Sequence, residues 1–132
     1  MRASMSRALD ELYPGIYCWV LYGDDYDRMK WTDESIDKPT KEIIDTKIEE
    51  LKITCAYEML RTERNKKLSV CDYLFTNDFP HKNEETKQEW LNYRQSLRDI
   101  TNTQTPIYNF NEEVRRVYIT GVKWPTEPTS FS

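Results

Sequence analysis

The stretch Trp90-Leu91-Asn92-Tyr93-Arg94-Gln95-Ser96-Leu97-Arg98-Asp99-Ile100 decides how this chain is read. Trp90, Tyr93, Leu97 and Ile100 recur at spacings of three and four, so they share one face of a helix. Arg94 and Arg98 stand four apart beside that face, with Gln95 and Asp99 next to them. Aromatic anchors crowded by two arginines and a glutamine predict a helix that is gripped, either by the rest of its own fold or by another protein.

Just upstream, Asn83 is suited to cap this helix, and Glu84 and Glu85 fall in its first turn, where the helix dipole favours acids. Asn77-Asp78 and Phe79-Pro80 mark a loop, and Leu68 to Pro80 reads as irregular. Further back, Pro39 disfavours helix at Lys38, and Thr40 can cap a long helix from about Lys41 into the sixties. Its apolar stripe is Ile44, Ile48, Leu51, Cys55 and Met59, and the opposite face carries mixed, solvated charge. The two helices are expected to pack as an antiparallel hairpin. Arg61, Arg64, Arg94 and Arg98 then approach Asp72, Asp78 and Asp99, where arginine–carboxylate forks can lock the structure.

Towards the N-terminus, residues 7–13 suit a short helix capped by Ser6 and ended by Pro14-Gly15. Ile16 to Tyr22 is a strand candidate, Gly23 to Asp27 a turn, and Arg28 to Trp31 a returning strand. Downstream of the signature helix, Thr101 to Pro106 is a linker, and Val114 to Lys123 alternates as an edge strand or hairpin arm. Trp124-Pro125-Thr126-Glu127-Pro128 reads as an extended, polyproline-like tail. The expected fold class is α+β, in three parts: an N-terminal β-hairpin lobe (1–38), an antiparallel helical hairpin with the signature motif (39–105), and a short C-terminal strand with a Pro-rich extended tail (106–132).

Composition narrows the function. The 132 residues are 38% hydrophobic and 32% charged, with signs well mixed and a net charge of only −4. No basic stripe offers a footprint for nucleic acid. No apolar run approaches membrane-spanning length, and the first residues lack the apolar stretch of a signal peptide. Cys18, Cys55 and Cys71 are odd in number and far apart, and His81 is the single histidine, so neither disulfides nor a zinc site is expected. Three glycines leave no phosphate-cradling loop. Gly23 to Asp27 resembles a fragment of a calcium loop, but the spacing and the missing distal Glu argue for a solvated turn. No catalytic, cofactor-binding or metal-binding residue emerges, and a small hydrolase is disfavoured for want of a catalytic set.

What remains is protein–protein contact. The candidate partner-binding residues are Arg94, Gln95 and Arg98 on the helix and Trp124, Pro125 and Pro128 in the tail. Each group has a competing reading: the arginines as an internal scaffold, the tail as a cover folded back over its own domain, against a pre-extended arm that loses little entropy on docking.

The same residues carry a family resemblance. Trp90 with Tyr93-Arg94-Gln95-x-Leu97-Arg98-Asp99-Ile100 resembles the signature of the phage tail assembly chaperone-like family, short proteins encoded among tailed-phage structural genes and in some large algal viruses. Leu60-Arg61-x-x-Arg64-Asn65-x-x-Leu68, Cys71-Asp72-Tyr73 and Trp124-Pro125-x-x-Pro128 are similar to further family stretches, in order. Cys71 and Tyr73 replace the usual hydroxyl residue and Trp, and the run from Ile107 to Lys123 is longer than the family pattern. The resemblance implies a non-enzymatic viral protein that works in tail assembly through contacts with other tail or virion proteins. It implies the host cytoplasm during assembly. The alternative is a minor structural protein of capsid or tail fibre that stays in the virion.

Overall fold

In the first of two compact units, Met1–Cys55, the opening helix is placed by its apolar spacing. The structure, a computed structural model, describes residues 2–76 and 78–129. Helix α1 (Met5–Leu12) starts earlier than expected, and its cap is Ser4 rather than Ser6: Ser4 Oγ accepts from the Arg7 amide at 3.2 Å. The reason is burial. Starting at Met5 puts Met5, Ala8 and Leu9 on one helical face, and all three are buried. They form a core with Met29, Ile44 and Leu51, lined by Trp19, Tyr26, Trp31 and Ile48 among others.

The N-terminal hairpin forms, but its ladder is short. Strand β1 (Trp19–Val20) pairs antiparallel with β2 (Lys30–Trp31), in the register Trp19 to Trp31 and Val20 to Lys30. The expected strand over Ile16 to Tyr22 shrinks because the connection folds on itself. Asp25 Oδ1 accepts from the Asp27 amide at 3.1 Å, a 3-10 turn follows over Tyr26–Arg28, and Met29 turns into the core. The indoles of Trp19 and Trp31 stack at 5.9 Å, and Trp31 Nε1 donates to the Ile36 carbonyl at 2.7 Å. Helix α2 (Lys41–Cys71) begins as expected, with Thr40 Oγ1 accepting from the Ile43 amide at 3.3 Å. Its Ile44, Leu51 and Cys55 are buried in this unit.

The second unit is Ala56–Ser132. Here α2 runs on to Cys71 and tightens into a 3-10 turn over Asp72–Phe75. The irregular segment expected from Leu68 is therefore helical for its first part. No Gly or Pro interrupts it before Pro80, and Leu68, Cys71 and Leu74 face one core at the three-residue spacing that a 3-10 turn preserves. Asn77, read as a loop marker, lies outside the described residues. Helix α3 (Glu84–Arg98) is capped by Asn83, whose Oδ1 accepts from the Thr86 amide at 2.8 Å. A further turn, α4 (Ile100–Thr103), takes up the start of the expected linker and buries Ile100. The α2–α3 hairpin is antiparallel: Arg94 meets Leu68 and Cys71, while the carbonyl of Arg98, one turn later, meets Arg64, one turn earlier.

The C-terminal strand has a partner that the alternation of residues 114–123 alone did not supply. Strand β3 (Ile107–Asn111) pairs antiparallel with β4 (Arg116–Thr120), from Ile107 opposite Thr120 to Asn111 opposite Arg116. Asn111 Oδ1 accepts from the amides of Glu113 and Val114, which sets the turn. Gly121 follows at φ 77°, and a Cβ there would sit 3.1 Å from Ile107 Cδ1, so the residue that leads from β4 into the tail needs to be glycine. The tail, residues 122–129, has no regular secondary structure. Residues 130–132 of the expected tail lie outside the described residues. Two antiparallel two-stranded sheets and a helical hairpin make the fold α+β.

Candidate functional site

The second unit is organised around one side chain, Arg94. Measured along α3, Arg94 falls four residues after Trp90 and three before Leu97, on the apolar stripe itself, and it is 9% exposed. Its Nη1 donates to the Leu68 carbonyl and to Cys71 Sγ, both at 3.0 Å, and its Nη2 donates to Asp72 Oδ1 at 2.8 Å. The guanidinium carbon also lies 5.1 Å from the Phe75 ring centre. Burial opposes the Arg94 charge, but the hydrogen bonds to Asp72 and Cys71 and their charges outweigh it and raise its pKa further. A buried charge satisfied in this way ties two consecutive pieces of chain to α3: the end of α2 and the 3-10 turn from Asp72 to Phe75.

Around it lies an aromatic core. Cys71, Leu74, Trp90, Tyr93 and Leu97 are buried together, with Leu68, Phe75, Phe79 and Trp124 packed against them. The rings of Trp90 and Tyr93 meet edge to face at 5.7 Å. Burial, then the nearby Glu127 and Cys71, push the Tyr93 phenol up from its ordinary value.

The other expected residues fall in different places. Gln95 and Arg98 are exposed. Gln95 donates to both carboxylate oxygens of Asp99, at 3.1 and 3.2 Å, and Arg98 contributes to the hairpin through its carbonyl, which accepts from Arg64. Of the carboxylates expected to meet the arginines, Asp72 pairs with Arg94 and Asp99 with the Gln95 amide. Trp124 packs on the aromatic core, and Lys67 Nζ sits 5.1 Å above its ring. Pro125 and Pro128 are half-buried. The Lys123 amide donates to Gln104 Oε1 at 3.0 Å, which holds the entry to the tail. Ile100, Gln104, Trp124 and Pro125 line a groove of about 330 Å³.

Three partners in this arrangement were not foreseen: the thiol of Cys71, the cation of Lys67 and the amide of Gln104. Lys67 had a readable signal, since it follows Arg61 and Arg64 at three-residue steps and so continues their stripe. Among the described residues no helix is long and apolar enough to cross a membrane, and no three His, Cys, Asp or Glu side chains gather where a metal ion could sit.

Searches of curated proteins and of solved structures each found no match. A family model does match: that of the phage tail assembly chaperone protein, over residues 57–129. Those residues take in the end of α2, α3 with its buried arginine, the β3–β4 hairpin and the tail, more than half of the chain, and the chain belongs to the phage tail assembly chaperone family.

Proposed function

We propose that the protein assists assembly of a phage tail, in the host cytoplasm, by binding other tail or virion proteins and without catalysing a reaction. The observation that supports this is the family match over residues 57–129, which coincides with the compact unit built on Arg94. In this reading Arg94 acts through the fold: it holds α3 so that Gln95 and Arg98 are presented to a partner. Trp124, Pro125 and Pro128 form the second contact. They lie on the unit's own surface with part of each side chain open, so that a partner meets them already placed.

The test is removal of the protein from an infecting phage, followed by electron microscopy of the particles. Tail-less or malformed particles are expected, restored by the wild-type chain and poorly restored by Gln95→Ala/Arg98→Ala. Normal tails in its absence would overturn the reading. Mass spectrometry of purified virions separates a transient helper, which should be missing, from a minor structural component of tail fibre or capsid, which should be present at fixed copy number.

A further inference from the structure

The helical hairpin leaves one set of arginines without a carboxylate among the described residues. Arg61 and Arg64 lie three apart on α2, on one face, and the antiparallel packing brings Arg64 against Arg98. Arg64 Nε donates to Asn65 Oδ1 at 3.1 Å and its Nη1 to the Arg98 carbonyl at 3.5 Å, so the guanidinium is held while most of its five donors remain uncommitted. Arg61 rests over the Tyr57 ring, 5.8 Å from its centre. Among the described residues none of the three arginines has a carboxylate partner, although carboxylates lie close along both helices. Those carboxylates are engaged elsewhere: Glu63 with Lys66 at 3.6 Å, Asp99 with Gln95, and Asp72 with Arg94. Arg61 and Arg64, neighbours at i,i+3 without counter-charge, repel each other, Arg64 reaches the end of α3 that carries Arg98, and an arriving anion relieves that repulsion.

We propose that Arg61, Arg64 and Arg98 form a docking face for an acidic segment of a partner protein, one that offers several Asp or Glu side chains. The planar guanidinium fork matches a carboxylate through two parallel hydrogen bonds, and prior placement by Tyr57, Asn65 and the Arg98 carbonyl reduces the ordering that binding requires. A nucleic acid fits less well. The second unit holds eleven Lys and Arg against eleven Asp and Glu, which is no net charge, and Glu63 and Asp99 interrupt any basic track along the helices. The inference rests on the assembly reading for its biological setting and adds the chemistry of the partner.

The full-length protein is titrated into a fluorescein-labelled oligoglutamate peptide, with a single-stranded oligonucleotide of equal charge as the competing probe. Binding of oligoglutamate is expected, weakening as salt is added, and falling by about tenfold or more in R61Q/R64Q/R98Q. No binding by the wild type, equal binding by the triple variant, or tighter binding of the oligonucleotide would each overturn the proposal. If the triple variant fails to fold, Arg98→Gln alone carries the test, because among the described residues that side chain makes no ion pair: a several-fold loss supports the face, and unchanged affinity sinks it. The inference falls alone if oligoglutamate is not bound while phage without the protein still lack tails. The assembly reading falls alone if the peptide is bound and tails form without the protein.

Discussion

The two units of this chain solve the same problem with different materials. The first is held by an aliphatic and thioether core, Met5, Ala8, Leu9, Met29, Ile44 and Leu51, flanked by stacked tryptophans. The second is held by an aromatic core with a buried guanidinium threaded through it. An aliphatic core is non-directional and tolerates exchange of shape at constant volume. A core that includes Arg94 is not, because its donors fit one set of acceptors and leave a desolvated charge if any is lost. The family match falls on the second kind, where geometry is specified most tightly.

The comparison can be tested with the tryptophans, which divide two and two: Trp19 and Trp31 report on the first unit, Trp90 and Trp124 on the second. The largest effect is expected from Trp90→Ala, which empties the centre of the aromatic core. A loss of about 3–5 kcal/mol should appear in chemical denaturation followed by circular dichroism. Leu51→Ala should reach the lower part of the same range from the first unit, and equal losses would blunt the contrast. Arg94→Ala comes next, at about 2–3 kcal/mol. Its partner Asp72 is 62% exposed and can return to water, which keeps the loss below that of breaking a fully buried pair. Arg98→Ala, four residues on, should stay within about 0.5 kcal/mol. A large loss at Arg98 would mean that the two arginines share the structural role.

Trp124→Ala follows. Its ring is half-buried, so about 2 kcal/mol is expected, short of the full value for a core tryptophan. An unchanged melting curve would make the tail a free arm. The smallest effect is alkaline. The Tyr93 phenol is raised by burial and by Glu127 and Cys71, so the fold favours its neutral form. That preference contributes stability below the unfolded phenol pKa of about 10 and is lost as pH climbs through the raised folded value. The second unit should therefore weaken above that pH in the wild type and less so in Tyr93→Phe, as read by Trp90 and Trp124 fluorescence in a Trp19→Phe/Trp31→Phe background. Identical alkaline profiles would show that Tyr93 plays no part.

Local chemistry made much of this legible beforehand. Thr40 and Asn83 cap where their side chains predict, and the pairing of Arg94 with Asp72 follows from two helices packed antiparallel. The distinction between Arg94 and Arg98 was also within reach. Arg94 lies on the Trp90–Leu97 stripe, whereas Arg98 lies at its margin. Strand β3 was harder to see, because Asn109 and Asn111 alternate with its apolar residues and weaken the strand signal until a partner is placed opposite. The shortness of β1 and β2 came from the 3-10 turn between them, and the burial of Trp124 from contacts far along the chain. Neither is a property of a short window of sequence.

The position of Trp124 also sets a clock. The aromatic face of Leu74, Trp90 and Leu97 is complete in the growing chain well before the indole that packs against it. At about 5–20 residues per second, the ribosome leaves that face without its indole for on the order of seconds. The chain thus begins its life with an exposed apolar face of its own, and translation speed between Leu97 and Trp124 becomes a determinant of its yield.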